Sequence, residues 1–509
     1  MPSGLNNKGL YSPEQSREPD RIVIEDFGVA GIRLMKRAGR AAFAEITARW
    51  PDAPVTVFCG SGNNGGDGYV IAALAAEQGL EVQVVQVAPA SKLKGDAAIA
   101  FNYAEAAGVV MVPFVECLPL QTGVLVDALL GTGFKGGSSG QAREPFAQAI
   151  RCINHSGLPV LAVDIPSGLS GDTGAAGDVV VKADVTVTFI GIKRGLLTGR
   201  GPSLCGELLF NDLEVPADVY RRVDPAAEML DLTDLLAALP ARKADAHKGD
   251  FGHVMVIGGD HGYGGAVAMA AEAALRVGAG LVSVATRPEH VAPILARRPE
   301  LMVKGVASGQ ELEPLLENGP TVLIIGPGLG QSPWSEQMLQ KAVASGLPMV
   351  VDADALNMLG KGLLASNGGG LETDHWILTP HPGEAARLLG VSNAEVQGDR
   401  FAAVQRLQQR FNCPVVLKGA GSLVCTESYS PVGVCMAGNP GMASGGMGDV
   451  LSGVVGGLVA QQLSSAEALP LAVCLHAGAA DRAAEVNGPR GLLATDLMPH
   501  LRALVNSPT

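Results

Sequence analysis

Asp449 stands in a run of glycines, GNPGMASGGMGDVLSGVVGG at residues 438–457, that leads straight into an apolar helical pattern. A helix beginning at about Asp449 would turn unpaired N–H groups and the positive end of its dipole toward that loop, a ready site for phosphate oxygens. A carboxylate repels phosphate. Its presence among such amides therefore points to a base aimed at a substrate hydroxyl. The ordinary alternative, an N-cap beside glycines that merely permit a turn, stays open at this stage. Earlier in the chain Asn63, Asn64, Asp67, Asp127, Asp164 and Ser167 all follow short apolar runs. Of these, Asn64, Asp127 and Ser167 offer oxygen donors and no soft ones, which suits a hard cation such as K⁺, Mg²⁺ or Ca²⁺ and disfavours zinc. Each Asn or Asp taken singly also fits an Asx-turn.

Positioning such residues requires strands that end at one edge. The run PVTVFCG predicts a buried strand, SGNNGGDG a glycine loop after it, YVIAALAAEQG a helix and EVQVVQV the next strand, which together make a βαβ unit. Two further strands end in the polar segments 124–137 and 158–174. Before them, a capped helix is predicted over 12–20 and a second from about 31 to 48, with Ile32, Met35, Ala42, Phe43 and Ile46 at helical spacing. After a charged connector at 216–246 the pattern restarts with KGDFGHVMVIGG, and strands end at VLIIGPGLG, MVVDAD, WILTPHP and PVVLKG. Two α/β domains are expected, over 1–225 and 226–509.

Composition narrows the function classes. The chain has 509 residues, 47% of them hydrophobic, and a net charge of −13, so its overall field does not favour nucleic acid or anionic lipid. Eight cysteines are scattered without a C-x-x-C pair, as expected of buried apolar side chains in a reducing compartment. The first residues lack the apolar core of a signal peptide, and no uninterrupted apolar run is long enough for a membrane span. A cytoplasmic enzyme is expected.

The motifs VFCGSGNNGGDGYV, VDALLGTGFKG and VDIPSGLSGDTG resemble those of the NAD(P)H-hydrate epimerase domain. KGDFGHVMVIGG, IIGPGLG, VVDADALNML, LTPHPGE, VLKGAGSLV and GGMGDVLSG resemble those of the NAD(P)H-hydrate dehydratase domain of the ribokinase-like superfamily. This resemblance to the bifunctional nicotinamide-nucleotide repair family covers nearly the whole chain. It implies an N-terminal Rossmann-like three-layer sandwich and a C-terminal ribokinase-like α/β/α domain. The activity it implies is epimerisation of R and S hydrates of NADH and NADPH, followed by dehydration of the S form with ADP.

Carried over residue by residue, the resemblance makes Asp449 the base on the hydroxyl, with the amides from Ala443 to Gly448 receiving phosphoryl charge. It gives Lys418, Gly419, Ala420, Gly421, Ser422 and Gly448 to the nucleotide, and Ala266, Gly328, His381 and Asp449 to the hydrate. Asp352 and Asn357 would support that crevice. In the first domain it gives Asn64, Asp127 and Ser167 to K⁺, and gives the hydrate Asn63, Asn64, Gly65, Gly66, Asp67, Gly131, Thr132, Gly133, Phe134, Lys135, Gly136, Gly137 and Asp164. Asp164 is the first candidate proton carrier, then Asp67 and Lys193. Mg²⁺ with ADP, or ATP, and a homo-oligomer are also expected. Met447 departs from the family pattern, which has a small or hydroxylic residue in GG-x-GD. Two other readings remain: a ribokinase-like small-molecule kinase, and an N-terminal domain that senses a ligand without converting it.

Overall fold

The computed structural model describes residues 8–115, 122–133, 142–317, 319–363, 372–427 and 430–507. The chain divides into two compact units, Met1–Glu228 and Met229–Thr509. In the first, strands β1 (Val55–Cys59), β2 (Val82–Gln86), β3 (Val110–Pro113), β4 (Val124–Ala128), β5 (Val160–Val163), β6 (Val185–Phe189) and β7 (Glu207–Asn211) form a parallel seven-stranded sheet. Their order is β3-β2-β1-β4-β5-β6-β7. β1, β4, β5 and β6 are buried along their whole length, which is why they read as continuous apolar runs and not as alternations. The order reverses between β1 and β4, the switch point beyond which a crevice opens.

Three helices matter to that crevice: α1 (Arg17–Glu25), α2 (Gly31–Arg49) and α3 (Asn63–Glu77). The helix predicted over 12–20 starts later, at Arg17, because Ser12 caps a turn. Gln15 N donates to Ser12 Oγ at 3.1 Å, and Ser12 N donates to Gln15 Oε1 at 3.0 Å. The glycine loop predicted after β1 is mostly helix, since α3 already begins at Asn63. Its glycines serve close packing, and none of Gly65, Gly66 and Gly68 has a left-handed backbone. A Cβ at Gly65 would lie 2.1 Å from Gly60 O, and one at Gly68 would lie 2.6 Å from Ala128 Cβ. Helix α3 thus settles directly onto the ends of β1 and β4.

The connector at 216–246 contains a short helix, Ala217–Tyr220, a strand, Ala227–Met229, and a second short helix, Leu232–Leu236, capped by the Asp231 side chain. In the second unit, strands β8 (His253–Ile257), β9 (Leu281–Thr286), β10 (Met302–Gly305), β11 (Val322–Ile325), β12 (Met349–Val351), β13 (Trp376–Leu378), β14 (Val415–Leu417), β15 (Ser422–Cys425) and β16 (Val432–Cys435) run in the order β10-β9-β8-β11-β12-β13-β14-β15-β16. All pairings are parallel up to β14, and β15 and β16 are antiparallel. The reversal between β8 and β11 repeats the switch point of the first unit.

The helices that shape the second crevice are α4 (Gly264–Arg276), α5 (Pro382–Leu389), α6 (Arg400–Phe411), α7 (Met447–Ala460) and α8 (Ser465–Asn487). Helix α7 is apolar on nearly every face because it is buried between its neighbours. Its glycines let α4 approach backbone to backbone. A Cβ at Gly453 would lie 2.1 Å from Ala270 O, and one at Gly457 would lie 2.6 Å from Val277 Cγ2. Among the described residues no helix is long and apolar enough to cross a membrane.

Candidate active sites

At the first switch point a cavity of about 250 Å³ is lined by Asn63, Asn64 and Asp67 from α3, Gly131 and Thr132 after β4, and Asp164 after β5. Asp164 holds a left-handed backbone, φ 66°, a conformation costly for a residue other than Gly and Asn. Its carboxylate Oδ1 accepts from the Lys193 ammonium, from Thr188 Oγ1 at 3.1 Å and from Phe189 N at 3.4 Å. Lys193 lies in the short strand Ile192–Lys193 and is almost fully buried, with its amine also on Phe189 O at 3.1 Å. Burial pushes the Asp67 carboxyl well above the usual range, and nearby Asp164 and Asp20 add to this against Lys193.

Gly65 and Gly66 are buried within the first turn of α3 and do not line the cavity. Phe134, Lys135, Gly136 and Gly137 lie outside the described residues, and Gly133 reaches only the neighbourhood of the Arg17 guanidinium. Among the lining residues that had no sequence signal are Ser16, Arg17 and Asp20, brought in by α1 and the turn before it. Arg17 Nη2 donates to Thr132 O at 3.3 Å.

The proposed cation ligands converge. Asp127 is fully buried and accepts from Ser167 Oγ at 2.6 Å, Ser167 N at 2.8 Å and Leu129 N at 3.2 Å. Leu130 N donates to Ser167 Oγ at 2.9 Å, while a Cβ on the next residue, Gly131, would lie 3.1 Å from Asn64 Cβ. Both side-chain atoms of Asn64, Oδ1 and Nδ2, are buried without a hydrogen-bond partner. A buried amide oxygen left bare costs free energy unless something accepts its lone pairs. That orphan next to a hydroxyl and a carboxylate fits a hard monovalent or divalent cation.

At the second switch point the helix α7 starts at Met447, with Gly446 as N-cap at φ 91°. Asp449 is therefore the third helical residue and not the cap. Burial, with Asp352 and Asp354 adding and Lys418 opposing, pushes its carboxyl up to about 7. Met447 is buried, so its side chain points into the core and away from the loop. Lys418 follows β14, and its ammonium sits 2.9 Å from Asp352 Oδ1. Ser452 Oγ donates to the other oxygen of Asp352 at 2.7 Å. Burial pushes the Asp352 carboxyl up, but Lys418 and these hydrogen bonds hold it below its ordinary value. A Cβ at Gly448 would lie 3.2 Å from Lys418 Nζ, so the bare glycine leaves room above the amine.

His381 caps α5. Gly383 N donates to its Nδ1 at 3.0 Å, and Glu384 Oε2 accepts from His381 N at 2.8 Å. The proton of the neutral ring is thereby fixed on Nε2, and burial, with Lys418 and Arg387 adding, lowers the ring's pKa. Burial pushes Glu384 up to about 7, against Lys418. Ala266, in the first turn of α4, faces Gly328, whose backbone is left-handed at φ 55° and whose Cβ would come within 3.0 Å of Ala266 Cβ. Asn357 does not face the crevice through its amide oxygen, which accepts from Arg387 Nη1 at 2.7 Å and so ties two helices together.

The segment 418–422 is shaped by a residue that sequence reasoning missed. Arg400, fully buried at the start of α6, donates to Leu417 O at 3.2 Å, Lys418 O at 3.3 Å and Gly421 O at 3.5 Å. Its guanidinium packs where a Cβ at Gly419 would be, 2.9 Å away, and Gly419 itself has φ 145°. The readable signal was spacing: Arg400 shares a helical face with Val404 and Leu407, both buried.

With this geometry in hand, comparison with known proteins is decisive. Residues 31–195 match the family model of the YjeF-related protein N-terminus, and residues 254–502 match that of NAD(P)H-hydrate dehydratase. A bifunctional NAD(P)H-hydrate repair enzyme of Coxiella burnetii is 52% identical over 498 residues, covering 98% of this chain and 99% of that protein. The chain belongs to the bifunctional NAD(P)H-hydrate repair enzyme family. The relative of the same description in Escherichia coli is 44% identical, with 98% of this chain and 94% of that protein covered. Among solved structures, a ribokinase-like superfamily protein of Enterococcus faecalis is similar at 30% identity and a TM-score of 0.50, over 55% of this chain and 95% of that one. The fold class expected from sequence, two α/β domains with a ribokinase-like second one, therefore stands, as does the bifunctional repair activity.

Proposed function

We propose that the second unit uses Asp449 to take the proton from the hydroxyl of the (S)-hydrate of NADH or NADPH while ADP phosphorylates that oxygen, and that the first unit interconverts the R and S hydrates. The observation that carries this reading is the setting of Asp449. It is the one of two neighbouring aspartates that Lys418 does not neutralise by direct contact, and its carboxyl is raised to about 7, where a general base works best. Asp352, by contrast, is tied to Lys418 and Ser452 and serves to position them.

The hydroxyl oxygen forms a bond to the β-phosphorus of ADP as AMP leaves, and the proton passes to Asp449. Hydroxide is a poor leaving group and phosphate a good one. The ring nitrogen then expels phosphate, and loss of a proton from the adjacent carbon restores the dihydropyridine. The amides of residues 443–448, which run into the first turn of α7, would receive the phosphoryl charge. The segment from Lys418 to Ser422, held by Arg400, and Gly448 would seat the nucleotide, with Ala266, Gly328 and His381 against the hydrate. Mg²⁺ would enter with the nucleotide and screen its phosphates. In the first unit Asn64, Asp127 and Ser167 would hold K⁺, whose charge would favour an oxygen of the substrate beside it. Asp164 is the candidate proton carrier there, with Asn63, Asp67, Gly131 and Thr132 around the hydrate.

The test is to incubate the pure protein with mixed R and S hydrates and ADP or ATP in turn, and to follow recovery of reduced-ring absorbance. Full recovery, with ADP the better donor, is expected. Recovery of half would mean an inactive epimerase, and accumulation of a stable phosphorylated product by mass spectrometry would reinstate the kinase reading.

A further inference from the structure

Inverting a carbinol carbon by loss and return of water has a geometric requirement. Water leaves one face of the ring and is added to the other, so proton-transferring groups are needed on more than one side. Asp164 with Lys193 supplies one side, from the ends of β5 and the short strand after β6. Asp20 lines the same cavity from a separate element, α1, and is half-buried there. That helix precedes the segment matched by the family model, which begins at residue 31. Asn64, whose buried side-chain amide has no hydrogen-bond partner, is among the residues that line this cavity as well, which marks it as a space built for a ligand.

We propose that Asp20 is a second catalytic carboxyl group of the epimerase, acting across the cavity from Asp164. The proposal rests on the epimerase reading of this unit. In the R to S direction, protonated Asp20 gives its proton to the departing hydroxyl as the carbon–oxygen bond breaks and the ring nitrogen takes up the positive charge. Water then bonds to the opposite face, and its surplus proton passes to the Asp164 carboxylate. The reverse direction exchanges the two roles, so no proton or electron is left unaccounted for.

The charged and titratable groups around Asp20 come from several elements: Asp67 on α3, Asp164 and Lys193 beyond the sheet, Asp96 on the cavity wall, Tyr220, and Arg17 on its own helix. Burial raises the Asp20 carboxyl to about 6, with Lys193 opposing and Asp164 adding. The protonated fraction therefore falls as pH rises past that point. An aspartate in the first turn of α1 also suits the helix dipole, so a readout beyond activity is needed.

The experiment uses the full chain, purified (R)-hydrate, and Asp20→Asn beside Asp20→Glu. Asp20→Asn is expected to slow R to S conversion about 100-fold or more, the scale of general acid catalysis. It should also remove the limb of the pH–rate profile that falls above about pH 6, and Asp20→Glu should restore both in part. Dehydration of (S)-hydrate by the other unit should be unchanged and serves as the internal measure of active chain, while thermal unfolding of the variant reports on the first unit. Conversion by Asp20→Asn at the wild-type rate, or an unchanged pH profile, overturns the proposal for Asp20 alone. A wild-type chain that leaves (R)-hydrate unconverted overturns the epimerase reading and Asp20's part in it together.

Discussion

The two lysine–aspartate pairs, Lys193 with Asp164 and Lys418 with Asp352, sit beside equivalent switch points of two sheets that reverse in the same way. What differs is the residue that remains to do chemistry. In the first unit the paired aspartate itself lines the cavity, and the carboxyl groups around it, Asp67 and Asp20, are pushed up by burial. In the second, the paired aspartate is sealed in the core at 1% exposure, and the carboxyl that faces the loop is Asp449. The same ion pair thus lines the cavity in one crevice, where the proposal makes it a participant, and lies beneath the site in the other, where it makes it a support. Isomerisation needs acid and base in one small space, whereas phosphoryl transfer needs a base kept clear of the cation that steadies the phosphates.

Substitutions can break that contrast. Asp449→Ala is expected to lower recovery of NAD(P)H from (S)-hydrate by about 1,000-fold or more, while R and S interconversion persists. Loss of both activities together would erase the distinction. Asp164→Asn should lower interconversion by about 100-fold or more and spare dehydration of the S form, so that mixed hydrates recover only by half. Asp352→Ala removes the close partner of the Lys418 ammonium, leaving only Glu384 at 4.0 Å, and should destabilise the second unit by about 3 kcal/mol, read by thermal unfolding. Adding Lys418→Met to it should restore part of the loss. Arg400→Ala should raise the KM for the nucleotide about tenfold with a smaller change in kcat, since each hydrogen bond to a charged group is worth only about 1.5–3 kcal/mol. Arg400→Lys should recover little, because one ammonium cannot span the same carbonyls. The gentlest test is pH. As the proposed base, Asp449 would work ionised, so kcat/KM for dehydration should fall about tenfold per unit below pH 7 and level off above it.

These residues also mark how far sequence alone could reach. Both switch-point crevices were legible because their strands are short apolar runs punctuated by glycine and aspartate, and periodicity carries that information locally. The segment at 61–68 was placed correctly and misread in kind. Glycines that read as a loop are helical there, and the reason, Gly60 O and Ala128 Cβ pressing on the helix, lies in contacts between elements. The roles of Asp20 and Arg400 were missed for the same cause. Asp20 reads as an ordinary acid in a first turn, and its neighbours Asp67, Asp164 and Lys193 are far away along the chain. Arg400 gains meaning only when α6 is laid beside the loop after β14. His381 shows the converse: the motif located it, but its Nδ1 is occupied as a helix cap, leaving only Nε2, which lies 3.3 Å from Glu384 Oε1, to meet a substrate.

Where α7 crosses α4, Gly453 rests on the Ala270 carbonyl with no space for even a methyl group. Asp449 at the head of one helix and Ala266 at the head of the other are therefore fastened by a seam of bare main chain. Their spacing is a constant of the scaffold, so with the hydrate seated as proposed an extra phosphate on the coenzyme would not be accommodated by spreading these walls. Any preference between the two damaged coenzymes has to be written in segments away from this seam.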